Sequence, residues 1–198
     1  MFANYSMQYE TDRDTSDSGQ PALVNMTLFA IAALESQYRE QGYFLLVEAG
    51  RIDHGNHAND GFRALTEAIE LDRAVTAALG LIDTRETLVI VTADHGHTTF
   101  FGGYAARGNP ILGKVRSVNG SGVPEPDDAL AEDSKPYTAL GYGAGPGGIY
   151  PPGERRPDLT AVDTEAKDFL QQASVPMGNG PHGGTDVALY AARQNRFT

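Results

Sequence analysis

Two continuous apolar runs, YFLLV at residues 43–47 and TLVIVT at residues 87–92, limit the folds open to this chain. Each has strand length, and neither alternates with polar residues. A strand without a polar face is buried on both sides, which is the condition of a parallel sheet covered by helices. Between the runs, Phe62, Leu65, Ile69, Val75 and Leu79 recur at helical spacing and stop near Gly80. Strand, helix, strand is a right-handed crossover unit, and it predicts the α/β class. Asp72 falls on or beside the helical stripe, so a buried partner is expected for it. Upstream, Pro21 suits a first helical position. Leu23, Thr27, Ile31, Leu34 and Tyr38 form a second stripe, which Gly42 closes.

Composition changes between Gly113 and Gly180, where NGSGVPEPDD and GYGAGPGGIYPPG supply Gly, Pro and acids. This segment reads as loops and short strands inserted into the domain rather than as a second core. Residues 186–191 then offer a final strand. The 198 residues suit one domain. A net charge of −11 without a basic stripe argues against a nucleic-acid partner. No run approaches the ~20 apolar residues of a membrane helix. Cysteine is absent, which removes thiol chemistry and disulfides. The residues after Met1 carry no signal-peptide pattern. Taken with Met1 as the true start, they read as cytoplasmic.

All five histidines fall in three short stretches: RIDHGNH (His54, His57), ADHGH (His95, His97) and PHGG (His182). The first two follow the carboxyl ends of the predicted parallel strands, the edge at which α/β sheets bind ligands. His182 precedes its strand. It reaches the same edge if that strand runs antiparallel or if the loop folds over. Imidazole and carboxylate together suit zinc. Asp53 and His57 stand at i and i+4, close enough to share one ion from a single loop or helix start. Asp94 and His95 converge if they lie on a turn. Glu48 ends the first strand, where a hard carboxylate suits magnesium. Each piece alone has a plain reading. A lone Asp-x-x-x-His is weak, Glu48 could cap a helix, and His54 and His97 could face solvent or border a site. Three such stretches holding every histidine are harder to explain as surface.

The stretches VEAGRIDHGNH, VTADHGHTTFFGGYAARGNPILG and HGGTDVALYA resemble the alkaline phosphatase family, from about Phe2 to the end. The resemblance implies a central, mostly parallel sheet flanked by helices, with residues 113–180 as a shortened crown-like insertion. It also implies phosphate monoester hydrolysis with two zinc ions and one magnesium ion. By resemblance, Asp53, His57 and His182 hold the first zinc, Asp94 and His95 the second, and Glu48 the magnesium. His54 and His97 border the cluster. A homodimer and a periplasmic or secreted location are usual for the family. The family's nucleophilic serine has no match here. Asp17-Ser18-Gly19 imitates its motif, but Gln20-Pro21 follows instead of a helix of small residues able to stabilise an anion. The chain therefore reads as the C-terminal portion of such an enzyme. A non-catalytic zinc-binding half or complementing subunit is the alternative from another class. A phosphodiesterase or sulfatase sharing the ligand set is disfavoured by GGYAARGNPILG.

Overall fold

The computed structural model describes residues 2–193; the readings that rest on Met1 and on the tail from Gln194 lie outside these. The chain divides into two units. Unit 1 comprises the residues up to Ile52, Leu65–Asp94 and those from Val187 on; unit 2 comprises Asp53–Ala64 and His95–Asp186. Helices and strands are both present, as the α/β reading predicts.

In unit 1, helix α1 spans Leu23–Tyr38. Pro21 lies just outside it rather than at its first position. Gly42 adopts a φ of +76° and its N–H reaches the Tyr38 carbonyl, closing the helix as expected. Ala22, the N-cap, supplies no capping side chain. The cap comes from elsewhere: the buried Glu70 carboxylate accepts the Val24 N–H at 3.4 Å. Glu67 does the same for the 3-10 turn Glu10–Asp12, accepting the Glu10 N–H at 2.5 Å. Both acids belong to a long helix, Gly61–Leu81, which follows a shorter one at Arg51–His57. These are α3 and α2. Carboxylates at helix N-termini meet unpaired N–H groups and the positive end of the dipole, which offsets part of the cost of burying them.

Glu67 and Glu70 correct the reading of α3. Asp72 is exposed, and Ile69 is 54 % exposed. The buried line runs instead through Ala64, Glu67, Glu70, Ala74 and Ala78. Apolar size marks the wrong face here, because the buried positions hold small residues and two capping acids.

The first apolar run departs from expectation. Residues 43–49 form neither helix nor strand and pair with no strand among the described residues. Phe44 is 88 % exposed and Leu46 72 %. A strand needs a neighbour, and none of the described residues offers one. The second run does form a strand, β1 (Val89–Thr92), but Ile90 is half exposed, and β1 pairs antiparallel with the last strand, Leu189–Ala192.

Unit 2 contains the two-residue strands β2 (Gly96–His97) and β6 (His182–Gly183), paired antiparallel. It also contains a sheet in which β3 (Thr99–Phe101) pairs antiparallel with β4 (Leu140–Gly145), which pairs parallel with β5 (Ala173–Pro176). The last strand of unit 1 is thus β7. Among the described strands only β4 and β5 are parallel. The segment expected to lack a core holds several of the deepest described side chains, among them Val115, Tyr142, Leu159 and Gln171. Its irregular backbone is tied by cations. Lys114 Nζ donates to the carbonyls of Leu159 and Thr160 at 3.1 Å and lies 3.1 Å from Asp128. Lys135 Nζ donates to the Arg156 carbonyl, and the Arg156 guanidinium donates to the carbonyls of Lys135 and Pro136.

Burial lifts the Glu67 carboxyl above its ordinary value; the charges of Glu10 and Glu70 add to this, while the Glu10 N–H and Arg51 oppose it. The folded form therefore favours the neutral acid. The contribution to stability is full below about pH 4.5 and is lost as pH rises through the folded pKa. Glu67→Gln keeps an oxygen for the Glu10 N–H and removes the buried charge. It is expected to raise Tm at pH 7 by about 2–4 °C per kcal/mol gained, with no gain at pH 4. Thermal denaturation at the two pH values checks this.

Candidate metal centre

α2 is two turns long, with Asp53 in its first turn and His57 in its last, on one face at the i,i+4 separation that makes helical side chains neighbours. His57 Nε2 lies 3.2 Å from Asp53 Oδ2. The β2–β6 ladder supplies the other side. Its register places His97 directly opposite His182. His182 lies within β6 itself, so this short ladder, rather than the strand that follows, brings it beside His97. Gly183 permits the close ladder, since a Cβ there would stand 2.5 Å from the His97 carbonyl oxygen. One ligand atom from each of Asp53, His57, His97 and His182 lies within 4.8 Å of the others.

Proton accounting shows what this arrangement lacks. His97 Nε2–H donates to Asp53 Oδ1 at 2.7 Å. The Gly180 carbonyl sits 2.5 Å from His57 Nδ1 and can only accept, so the proton of a neutral His57 stays on Nδ1. Asn179 Nδ2, 3.3 Å from the same nitrogen, makes the opposite demand, but the shorter contact prevails. His57 Nε2 then presents a lone pair to the Asp53 carboxylate, and to His182 Nε2 at 3.1 Å. Lone pairs that face one another at such distances are relieved by a proton or a metal ion between them. Two imidazole nitrogens and a carboxylate oxygen are the donor set of zinc. The residues present therefore fit a metal ion.

The electrostatics favour the ligand forms. Burial works against the Asp53 charge, but the His97 hydrogen bond and the neighbouring imidazoles outweigh it and hold the carboxyl below its ordinary value. Burial pushes the His97 imidazole down; the hydrogen bond and charge of Asp53 oppose this, and His57 and His182 add to the depression. Asp53 thus remains a carboxylate, and His97 is easily neutral. His97 Nδ1 is buried with no hydrogen-bond partner.

His95 joins the group from the side. Its ring stacks on His182 at 3.5 Å between centroids, its Nδ1–H donates to the Gly96 carbonyl, and its Nε2 lies 3.8 Å from Asp53 Oδ1. His54 is exposed on α2. Glu48 and Asp94 belong to unit 1, are exposed, and are not among the four grouped residues. The structure thus assembles four of the five histidines around Asp53. Sequence reasoning missed Gly180 and Asn179. They act through a carbonyl and an amide far along the chain and left no local signal.

Imidazoles and a carboxylate gathered by a helix end and a strand ladder define an α/β protein equipped to hold a metal ion. The particular family follows from comparison. The alkaline phosphatase family model matches residues 1–197, and the chain belongs to that family. It is 44 % identical over 191 residues to the tissue-nonspecific isozyme of alkaline phosphatase from Gallus gallus, covering 96 % of this chain and 34 % of the relative. The Homo sapiens tissue-nonspecific isozyme is 40 % identical over the same share of this chain and 33 % of its own length. The alkaline phosphatase of Gadus morhua is 38 % identical, with 37 % of its length covered. The chain spans about a third of the length of these curated relatives.

Zinc at a hundred times its Kd adds about 2.7 kcal/mol to the state that binds it. The metal-stripped chain is expected to gain several degrees of Tm when zinc is added. Asp53→Asn and His57→Ala lose that gain. A wild-type Tm indifferent to zinc would count against the site.

Proposed function

We propose that this chain supplies metal ligands for the hydrolysis of phosphate monoesters by an alkaline phosphatase. The observation that carries the reading is the convergence of Asp53, His57, His97 and His182 in a chain of this family. In this reading Asp53, His57 and His182 hold a first zinc, Asp94 and His95 a second, and Glu48 a magnesium ion. His54 and His97 border the cluster. The whole fold is one alkaline phosphatase-like domain. Residues 43–47 and β1 belong to its central, mostly parallel sheet, and residues 113–180 form its crown-like insertion. The exposed apolar side chains of Phe44 and Leu46, which folded proteins ordinarily cover, support that assignment. A homodimer and a periplasmic or secreted setting complete the reading. Among the described residues no helix is long and apolar enough to cross a membrane.

Phosphoryl transfer asks the protein for positioning and charge stabilisation rather than covalent work. Bound metal ions supply positive charge for the attacking and leaving oxygens and lower the pKa of a bound hydroxyl or water. The chain's own groups prepare for that role. His97 holds Asp53 in its ionised form and fixes one carboxylate oxygen. The Gly180 carbonyl keeps the His57 proton on Nδ1 and leaves Nε2 free. Ser18 does not act as the nucleophile in this reading. It lies in an exposed turn with its hydroxyl 3.1 Å from that of Ser16, and α1 begins only at Leu23. The chain alone is therefore expected to be inactive or weakly active, and a non-catalytic zinc-binding half remains the second reading on the same observation.

The decisive assay is release of a chromogenic alcohol from a phosphate monoester at mildly alkaline pH, with zinc and magnesium present. Turnover no greater than the metal blank is expected, together with zinc uptake. Turnover that disappears in His57→Ala would place a complete site in these residues and overturn the assignment of Ser18. Turnover dominated by diesters or sulfate esters would overturn the substrate class.

A further inference from the structure

The end of α2 is built around one side chain that the metal site does not itself use. Three backbone features close this helix. The Asn59 N–H donates to the Asn56 carbonyl at 3.0 Å, the Asp60 N–H donates to the Gly55 carbonyl at 2.9 Å, and Asn59 adopts a φ of +55°. That is a Schellman closure with His57 as the last fully helical residue. Glycine is the usual occupant of the left-handed position, since any other residue carries a steric cost there. Here the position holds an asparagine that is 0 % exposed.

Its carboxamide makes three hydrogen bonds within unit 2, and its main-chain carbonyl a fourth. Oδ1 accepts the Gly147 N–H at 3.0 Å, while Nδ2 donates to the carbonyls of Asn56 at 3.3 Å and Ala144 at 3.4 Å. The Asn59 carbonyl accepts the Gln171 N–H at 2.9 Å. Glycines clear the space for it. A Cβ at Gly145 would stand 2.1 Å from Oδ1, and one at Gly147 would stand 3.4 Å from the same atom. A Cβ at Gly180 would stand 3.0 Å from Nδ2, 3.0 Å from the Asn56 carbonyl and 3.2 Å from the His57 carbonyl. Gly180 in turn grips His57 twice. Its N–H donates to the His57 carbonyl at 2.7 Å, and its own carbonyl accepts the His57 Nδ1–H.

We propose that Asn59 is a positioning residue for His57: its buried carboxamide seats Gly180, whose carbonyl fixes the tautomer and direction of the imidazole. The inference rests on the reading of His57 as a metal ligand and adds a group outside the ligand set. Partners that orient a ligating histidine are worth about 10–100-fold in metal affinity. A residue serving only the helix end would change stability and leave the imidazole alone.

Asn59→Gly separates the two roles, because it retains the left-handed backbone and deletes the carboxamide. Two readouts are taken on the metal-stripped chain below its Tm. One is zinc affinity against a chromogenic chelator. The other is the long-range proton–nitrogen spectrum of the His57 ring. The wild type is expected to show the proton on Nδ1. Asn59→Gly is expected to mix the two tautomers and weaken zinc by tenfold or more. Gly180→Ala, whose methyl group presses on the carboxamide and on the Asn56 and His57 carbonyls, tests the Gly180 link; Asn59→Asp, which keeps an oxygen for the Gly147 N–H and removes the amide donor, decides the role of Asn59 if Asn59→Gly does not fold. A lowered Tm with an unchanged His57 tautomer and a Kd within twofold would overturn the proposal. If the wild type takes up no zinc, the metal reading fails, while the tautomer comparison still decides the role of Asn59.

Discussion

The Asp53 carboxylate faces more imidazole than two oxygens can serve with protons alone. His97 takes Oδ1 with its one N–H, and His57 turns a lone pair toward Oδ2 because its own proton is held by a carbonyl. His182 and His95 crowd the same oxygens. Such a gathering of imidazoles on one carboxylate is the donor set that a divalent metal ion takes. Much of unit 2 can be understood as the means of holding that geometry. A helix end fixes Asp53 and His57 at their separation, a short ladder fixes His97 opposite His182, and a buried amide locks the helix end to the sheet.

Parts of this were legible from residue order because their cause is local. The spacing of Asp53 and His57 is set by the helical repeat, and α1 and α3 follow from their stripes and from Gly42. The reading of the histidines as one group also needed only their neighbours in sequence. What was not legible depends on pairing across long separations. The apolar run at 43–47 has strand composition, yet a strand is a relation between two segments, and its partner is not among the described residues. Periodicity in α3 pointed to the large apolar residues, while the buried face is chosen by the helix ends that Glu67 and Glu70 must cap. Asn59 gave no signal, because an asparagine after a helix reads as an ordinary terminator until its surroundings are known.

The two units also differ in how they keep residues out of water. Unit 2 buries Tyr142, Leu159 and Val115 almost completely, and the Tyr142 hydroxyl finds Asn56 on α2 at 2.9 Å. Burial holds that phenol protonated far beyond its ordinary range, so it stays a donor at any working pH. Unit 1 leaves Phe44, Leu46, Leu189 and Tyr190 largely in solvent. Exposed apolar surfaces of that kind are ones that folded proteins ordinarily cover.

Lys114, Lys135 and Arg156 tie the loops of unit 2 largely through main-chain oxygens. Every residue type carries a carbonyl, so most positions these cations touch can change side chain without losing the tie. Three basic residues can therefore keep the shape of a long, irregular segment constant while its sequence drifts. Such a segment can acquire new surface chemistry around a fixed metal centre without first rebuilding its own support.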